Sequence, residues 1–207
     1  KTLRDYPATR WIMLLLISFV MAANYYFYDA LSPLKSLLEE RLAFTSTDYG
    51  IVVGFYAFPN TFLLMAVVGG IILDKIGIRI TGFVFVLFMV IGALLTAYGA
   101  SDYYNQGGVM YNFLGSFWTS YSPAMKMMSL GMLLFGLGAE TSIVVVNKIL
   151  VKWFKGYQIA LAFAINLGIA RLGTALAYKI GPRLTDPNWT LPIWVATILM
   201  CIGLLVF

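Results

Sequence analysis

Histidine is absent from the 207 residues, and cysteine occurs once, at Cys201. Without histidine the chain lacks the commonest zinc ligand, the usual general base and the usual proton switch near neutrality. A lone cysteine inside an apolar run builds neither a disulfide framework nor a thiolate metal site. Charge is scarce as well. Asp, Glu, Lys and Arg make up 11% of the chain, against about 25% in soluble domains. The net charge of +5 is spread without a basic run, so no face is laid out for nucleic acid. Gly136-x-Gly138 follows no strand and lies in an apolar stretch, so it is not a dinucleotide fingerprint. No Ser/Lys dyad or pair of carboxylates in register points to an intramembrane enzyme. Cofactor chemistry therefore has no foothold in this sequence.

What is present is apolar. Hydrophobic residues make up 61% of the chain, and the mean hydropathy is +0.86. A membrane span needs about 20 apolar residues. Stretches of that kind lie at about 11–31, 48–73, 80–98, 124–151, 156–178 and 191–207. The expectation is an all-α polytopic membrane protein with six transmembrane helices. Ser46 or Thr47 is the expected N-cap of the second span, and Pro59 predicts a kink within it. The segment 33–47 is polar enough to lie in water, and 99–123 reads as the longest extramembrane loop.

Loop charges set the orientation. Alternate loops place Lys1, Arg4, Arg10, Lys75, Arg79, Lys148, Lys152 and Lys155 on one side. Lys35, Arg41, Lys126, Lys179 and Arg183 fall on the other, with most of the loop acids. The positive-inside rule puts the N-terminus in the cytoplasm. An internal echo, Lys75-Ile76-Gly77-Ile78-Arg79 against Lys179-Ile180-Gly181-Pro182-Arg183, fits a 3+3 inverted repeat or a coincidence of short turns.

Charges inside spans are costly and need a partner or a purpose. Glu140 lies 15 residues before Lys155 and Arg171 lies 16 after it. At a helical rise of 1.5 Å per residue, both sit about 22–24 Å from the connecting turn. Two readings are open: a structural ion pair, or two groups that line a cavity and hold opposite ends of a zwitterion. Asp29 extends a polar strip with Asn24, Tyr25 and Tyr28, which reads either as a ligand surface or as an interfacial aromatic belt. Tyr56 and Asn60 form an i, i+4 polar pair beside Pro59, and Asn166 precedes Arg171 by five residues. The asparagines are equally readable as glue between helices. Gly136, Gly138, Gly168 and Gly173 suggest close packing of the fourth span on the fifth.

Gly70-x-x-x-Asp74-Lys75-x-Gly77-x-Arg79, placed after the second span, resembles the loop signature of the major facilitator superfamily. In that family the signature serves as a gating latch. Further residues are similar to the major facilitator superfamily domain-containing protein 1 branch of dipeptide transporters. They are Tyr28-Asp29, Tyr56-x-x-Pro59-Asn60, Phe135-Gly136-x-Gly138-x-Glu140, Asn147, Trp153-Phe154-Lys155-Gly156 and Ala170-Arg171-x-Gly173. Met132 stands where many facilitators carry an arginine. The resemblance implies a twelve-helix fold, of which these six spans are the N-terminal half, the C-terminal half being absent here and supplied elsewhere in the protein or by another chain. It implies transport of a small zwitterionic solute, a dipeptide or amino-acid-like compound, by alternating access. The substrate residues it implies are Glu140 and Arg171, and the polar residues read from the spans themselves, Asp29, Tyr25, Tyr28, Tyr56, Asn60 and Asn166, are the further candidates. The implied partners are that solute, the lipid bilayer and the second half, with no nucleic acid, metal or cofactor. The alternatives are another solute such as an organic anion, with Arg171 as counter-ion, or a non-transporting scaffold or receptor. With no acidic dileucine signal in an N-terminal tail, the expected home is a bacterial cytoplasmic membrane, or a lysosomal one in a eukaryote.

Overall fold

The computed structural model describes residues 5–207, and Lys1 and Arg4 of the orientation argument lie outside them. Among the described residues the chain is helical, with no strand. The helices are α1 (Pro7–Ala30), α2 (Lys35–Leu42), α3 (Ser46–Leu63), α4 (Met65–Ile76), α5 (Ile78–Ala100), α6 (Asp102–Asn105), α7 (Tyr111–Gly115), α8 (Pro123–Phe154), α9 (Ile159–Ile180) and α10 (Leu191–Leu204). The runs led by α1, α5, α8 and α9 are each long and apolar enough to cross a bilayer. The pair α3 and α4 forms a fifth crossing bent by 63°, and α10 is a shorter apolar helix of 14 residues. Helix α8, at 32 residues, is about 48 Å long and extends beyond the hydrocarbon.

Three local expectations are corrected. The second span is capped by Thr45, not by Ser46 or Thr47. Its hydroxyl accepts from the Asp48 N–H (3.1 Å) while the Asp48 carboxylate accepts from the Thr45 N–H (2.8 Å), a reciprocal capping box. The break in that span falls at Leu64, five residues beyond Pro59. Leu64 adopts a left-handed conformation (φ 49°), and its N–H returns to the Pro59 carbonyl. The segment 33–47 is not simply solvated, because α2 turns Leu38 inward and Leu34 and Phe44 are buried beside it.

The packing has the symmetry of an inverted repeat. Helix α1 lies along α9 and α10, α8 lies along α3 and α5, and α5 meets α10. Exchanging the first three spans with the second three maps α1 on α9 onto α8 on α3. The same exchange maps α5 on α8 onto α10 on α1, and α5 on α10 onto itself. The two equivalent crossings are each made at a glycine. A Cβ on Gly136 of α8 would lie 2.1 Å from the Tyr56 carbonyl oxygen of α3. One on Gly173 of α9 would lie 2.2 Å from the Ala22 carbonyl oxygen of α1. The glycines therefore do not join the fourth span to the fifth. Gly138 faces Phe85 of α5, and Gly168 has no neighbour within 4 Å.

Met132 is fully buried in the apolar core between these crossings, a place that suits a thioether better than a guanidinium. The basic ends gather at one side of the bundle. Arg10 lies 3.9 Å over the Tyr157 ring, and Lys148 pairs with Asp74. At the far side, the Lys126 ammonium donates to the carbonyls of Leu114 (2.6 Å) and Phe117 and pins the aromatic loop that contains α6 and α7.

Candidate functional site

The glycine crossings determine which polar side chains meet. Because α3 comes into backbone contact with α8 at Gly136, Tyr56 sits one helical turn from Glu140, and its hydroxyl is directed at the Glu140 carboxylate. Because α1 comes into contact with α9 at Gly173, Tyr25 reaches Arg171. The guanidinium lies 5.1 Å from the Tyr25 ring centroid, within cation–π range. Glu140 and Arg171 are thus each met by a tyrosine from the helix that crosses its own.

The two halves of this arrangement are continuous. The rings of Tyr28 and Tyr56 lie 4.4 Å apart, and Tyr25 lies one turn before Tyr28 on α1. Below them, Phe135 contacts Tyr56 (5.9 Å) and Phe27 (4.5 Å) and makes an apolar floor. Asp29 accepts a 2.6 Å hydrogen bond from the Thr174 hydroxyl of α9. Glu140, Asp29, Tyr25, Tyr28 and Tyr56 are half-buried, while Arg171 is exposed. Glu140 and Arg171 form no ion pair with each other. Equal depth on a hairpin of α8 and α9 would make them neighbours, yet α9 packs chiefly on α1 and α8 on α3 and α5. The two charges therefore reach the strip from opposite sides.

The two asparagines are engaged elsewhere. The Asn60 side-chain carbonyl accepts the Ala66 N–H (3.3 Å) and stitches α3 to α4 across the break. Asn166 is buried and donates to the Ser18 hydroxyl (2.9 Å), tying α9 to α1. Thr174 was missed by sequence reasoning. It follows Arg171 at i+3 on the same face of α9, a periodicity that was there to be used.

A second constellation lies at the basic end. Asp74 occupies the last turn of α4, and Gly77 (φ 94°) is the one residue linking α4 to α5, a conformation that L side chains rarely adopt. Gly70 faces Val144 of α8 with room for a Cβ, which would lie 4.0 Å from it, while Lys75 and Arg79 flank the link. The Asp74 carboxylate accepts from the Lys148 ammonium of α8 at 2.5 Å. This partner lies 74 residues away in the chain, beyond the reach of the loop signature itself.

The family model described as Major Facilitator Superfamily matches residues 14–207. The lysosomal dipeptide transporter MFSD1 of Danio rerio is 28% identical over 172 residues, which cover 83% of this chain and 32% of that protein. Its Homo sapiens counterpart is 28% identical over 170 residues, covering 82% of this chain and 32% of the relative. The solute carrier family 49 member 4 homolog of Xenopus tropicalis is 26% identical over 184 residues, covering 87% of this chain and 35% of the relative. The chain spans about a third of the length of these relatives.

Proposed function

The chain belongs to the Major Facilitator Superfamily, and from that premise we propose that it supplies one wall of a path for small zwitterions, dipeptides or amino-acid-like compounds. The observation that carries this reading is the separation of the two charges. Glu140 and Arg171 are each held by a tyrosine and not by one another, so each has capacity left for a ligand. In the proposal the carboxylate of Glu140 receives a substrate ammonium and the guanidinium of Arg171 receives a carboxylate. Tyr25, Tyr28 and Tyr56 supply the faces between them, and Asp29 with Thr174 borders the strip. Asn60 and Asn166 serve its scaffold. A charged terminus at each end explains why costly ions are retained in the bundle, which apolar residues pack without them.

We further propose that a second six-helix unit, in the same polypeptide or another, covers the open side of the strip. Only 22% of the α9 span is buried, and Phe58, Phe62, Leu63, Val67 and Ile71 of α3 and α4 are exposed. The proposed orientation has the N-terminus on the cytoplasmic side. The membrane is a bacterial cytoplasmic one or a lysosomal one, as the names of the MFSD1 relatives say of them.

The test is uptake by the full-length protein in proteoliposomes. A free dipeptide should be taken up, whereas the N-acetylated dipeptide and the dipeptide amide should each fall by about tenfold or more, the loss of one charge-assisted contact. Equal uptake of the free and N-acetylated forms would shift the reading to organic anions bound by Arg171 alone. No uptake of any of them would favour a scaffold.

The pair at the basic end is proposed as a latch between conformations. Asp74 is 77% exposed, so Asp74→Asn should shift the melting temperature little, since exposed pairs contribute about 1 kcal/mol at most. It should nevertheless change the labelling rate of cysteines placed on the strip, because a charge at a moving contact biases two states unequally. An unchanged labelling rate together with unchanged uptake would remove the latch from the proposal.

A further inference from the structure

At the basic end, α4, α5 and α8 enclose an open pocket of about 800 Å³. Three cations line it, Arg79, Lys148 and Lys152, against one acid, Asp74, so the lining carries a net charge of +2. Asp74 is already engaged by Lys148. No side chain caps the first turn of α5, and the residues of that turn, Ile78 to Ile80, line the same pocket. Its remaining wall is aliphatic, with Ile78, Ile80 and Val151 continuing into the apolar faces of the spans.

We infer that this pocket binds an anionic phospholipid, with the headgroup phosphate among Arg79, Lys148 and Lys152 and the glycerol and upper acyl chains along Ile78, Ile80 and Val151. A soluble anion would use the cations but gain nothing from the aliphatic wall, whereas a phospholipid uses both. The pocket opens at the ends of membrane spans, on the side where the basic loops gather. Anionic headgroups of the cytoplasmic leaflet attract basic groups there, each lysine or arginine contributing about fivefold in affinity. Lys148 is shared between Asp74 and the phosphate, so an occupied pocket weakens the Asp74–Lys148 contact, and the anionic-lipid content of the membrane becomes an input to that contact. The inference rests on the pocket and on the proposed orientation, and not on the substrate reading.

The experiment titrates the full-length protein in a neutral detergent with short-chain phosphatidylglycerol, with phosphatidylcholine of the same chain length, and with inorganic phosphate. Binding is read by native mass spectrometry and by melting temperature. Phosphatidylglycerol should bind saturably and raise the melting temperature, phosphatidylcholine should not, and phosphate should compete only weakly. Lys152→Gln and Arg79→Gln should each weaken phosphatidylglycerol binding by about fivefold. Asp74→Asn should strengthen it, because it removes the acid from the basic pocket. Opposite signs at neighbouring positions cannot come from general loss of fold, and the Asp74→Asn arm reads only on folded protein. Equal binding of the two lipids, or binding unmoved by Lys152→Gln and Asp74→Asn, overturns the inference. Phosphate competing as tightly as phosphatidylglycerol also overturns it, in favour of a soluble-anion site.

Discussion

Gly136→Ala should cost the bundle more than any other single methyl group added to it. The new Cβ would lie 2.1 Å from the backbone oxygen of Tyr56, and a backbone atom cannot rotate away as a side-chain tip does. Either α3 moves off α8 or the helix bends, and overpacking of this kind costs about 3 kcal/mol at the upper end of its usual range. For a chain of this size that is a fall in melting temperature of about 6–12 °C. Gly173→Ala should behave alike, because its Cβ would lie 2.2 Å from the Ala22 oxygen at the equivalent crossing of α9 and α1. Gly168→Ala is the contrast. Nothing lies within 4 Å of its added Cβ, so the change should be neutral or stabilising by about 0.5–1 kcal/mol through helix propensity. The measurement is melting temperature and monodisperse yield of the three variants in one detergent. Equal behaviour of the Gly136 and Gly168 variants would mean that the crossings are not as close as described. The consequence extends past stability, since separating α3 from α8 also withdraws Tyr56 from Glu140.

The spans were legible because bilayer crossing leaves a length signal that needs no partner. The bend of the second span was anticipated from Pro59. Its position was not. Proline removes one donor, but the helix runs on until Leu64, where the N–H folds back to the Pro59 carbonyl and Asn60 catches Ala66. That outcome depends on what packs around the gap. The glycines were recognised as sites of close approach, yet their neighbours were assigned by chain order, as if consecutive helices must touch. The inverted repeat pairs α9 with α1 and α8 with α3 instead, and composition alone does not carry such a topology. The same limit applied to the strip. Its residues were chosen from the cost of charge in a membrane, while Tyr56 beside Glu140, Tyr25 under Arg171 and Thr174 on Asp29 are long-range pairings that no local spacing encodes.

Those pairings change what a charge exchange should do. If Glu140 and Arg171 neutralised each other, Glu140→Arg combined with Arg171→Glu would restore what each single change loses. In the structure, Tyr56 directs its hydroxyl at position 140 and Tyr25 presents its ring face to position 171. A hydroxyl donor suits a carboxylate, and the negative face of a ring suits a cation. After the exchange, each new charge would meet the wrong tyrosine, and the double variant should recover neither uptake nor melting temperature in full. Removing one charge at a time gives a sharper reading. Glu140→Gln should lower dipeptide uptake by about 30-fold, as expected when a charged recognition contact worth about 2 kcal/mol is lost. It should also shrink the preference for the free dipeptide over its N-acetylated form. Arg171→Gln should shrink the preference for the free dipeptide over its amide and leave the N-acetyl discrimination in place. The assay is uptake of all three compounds by the full-length protein and both variants, with melting temperatures alongside. Two separate losses of discrimination tie each charge to one end of the substrate. A uniform loss for every compound, tracking a lower melting temperature, would make both residues structural and remove them from the recognition strip.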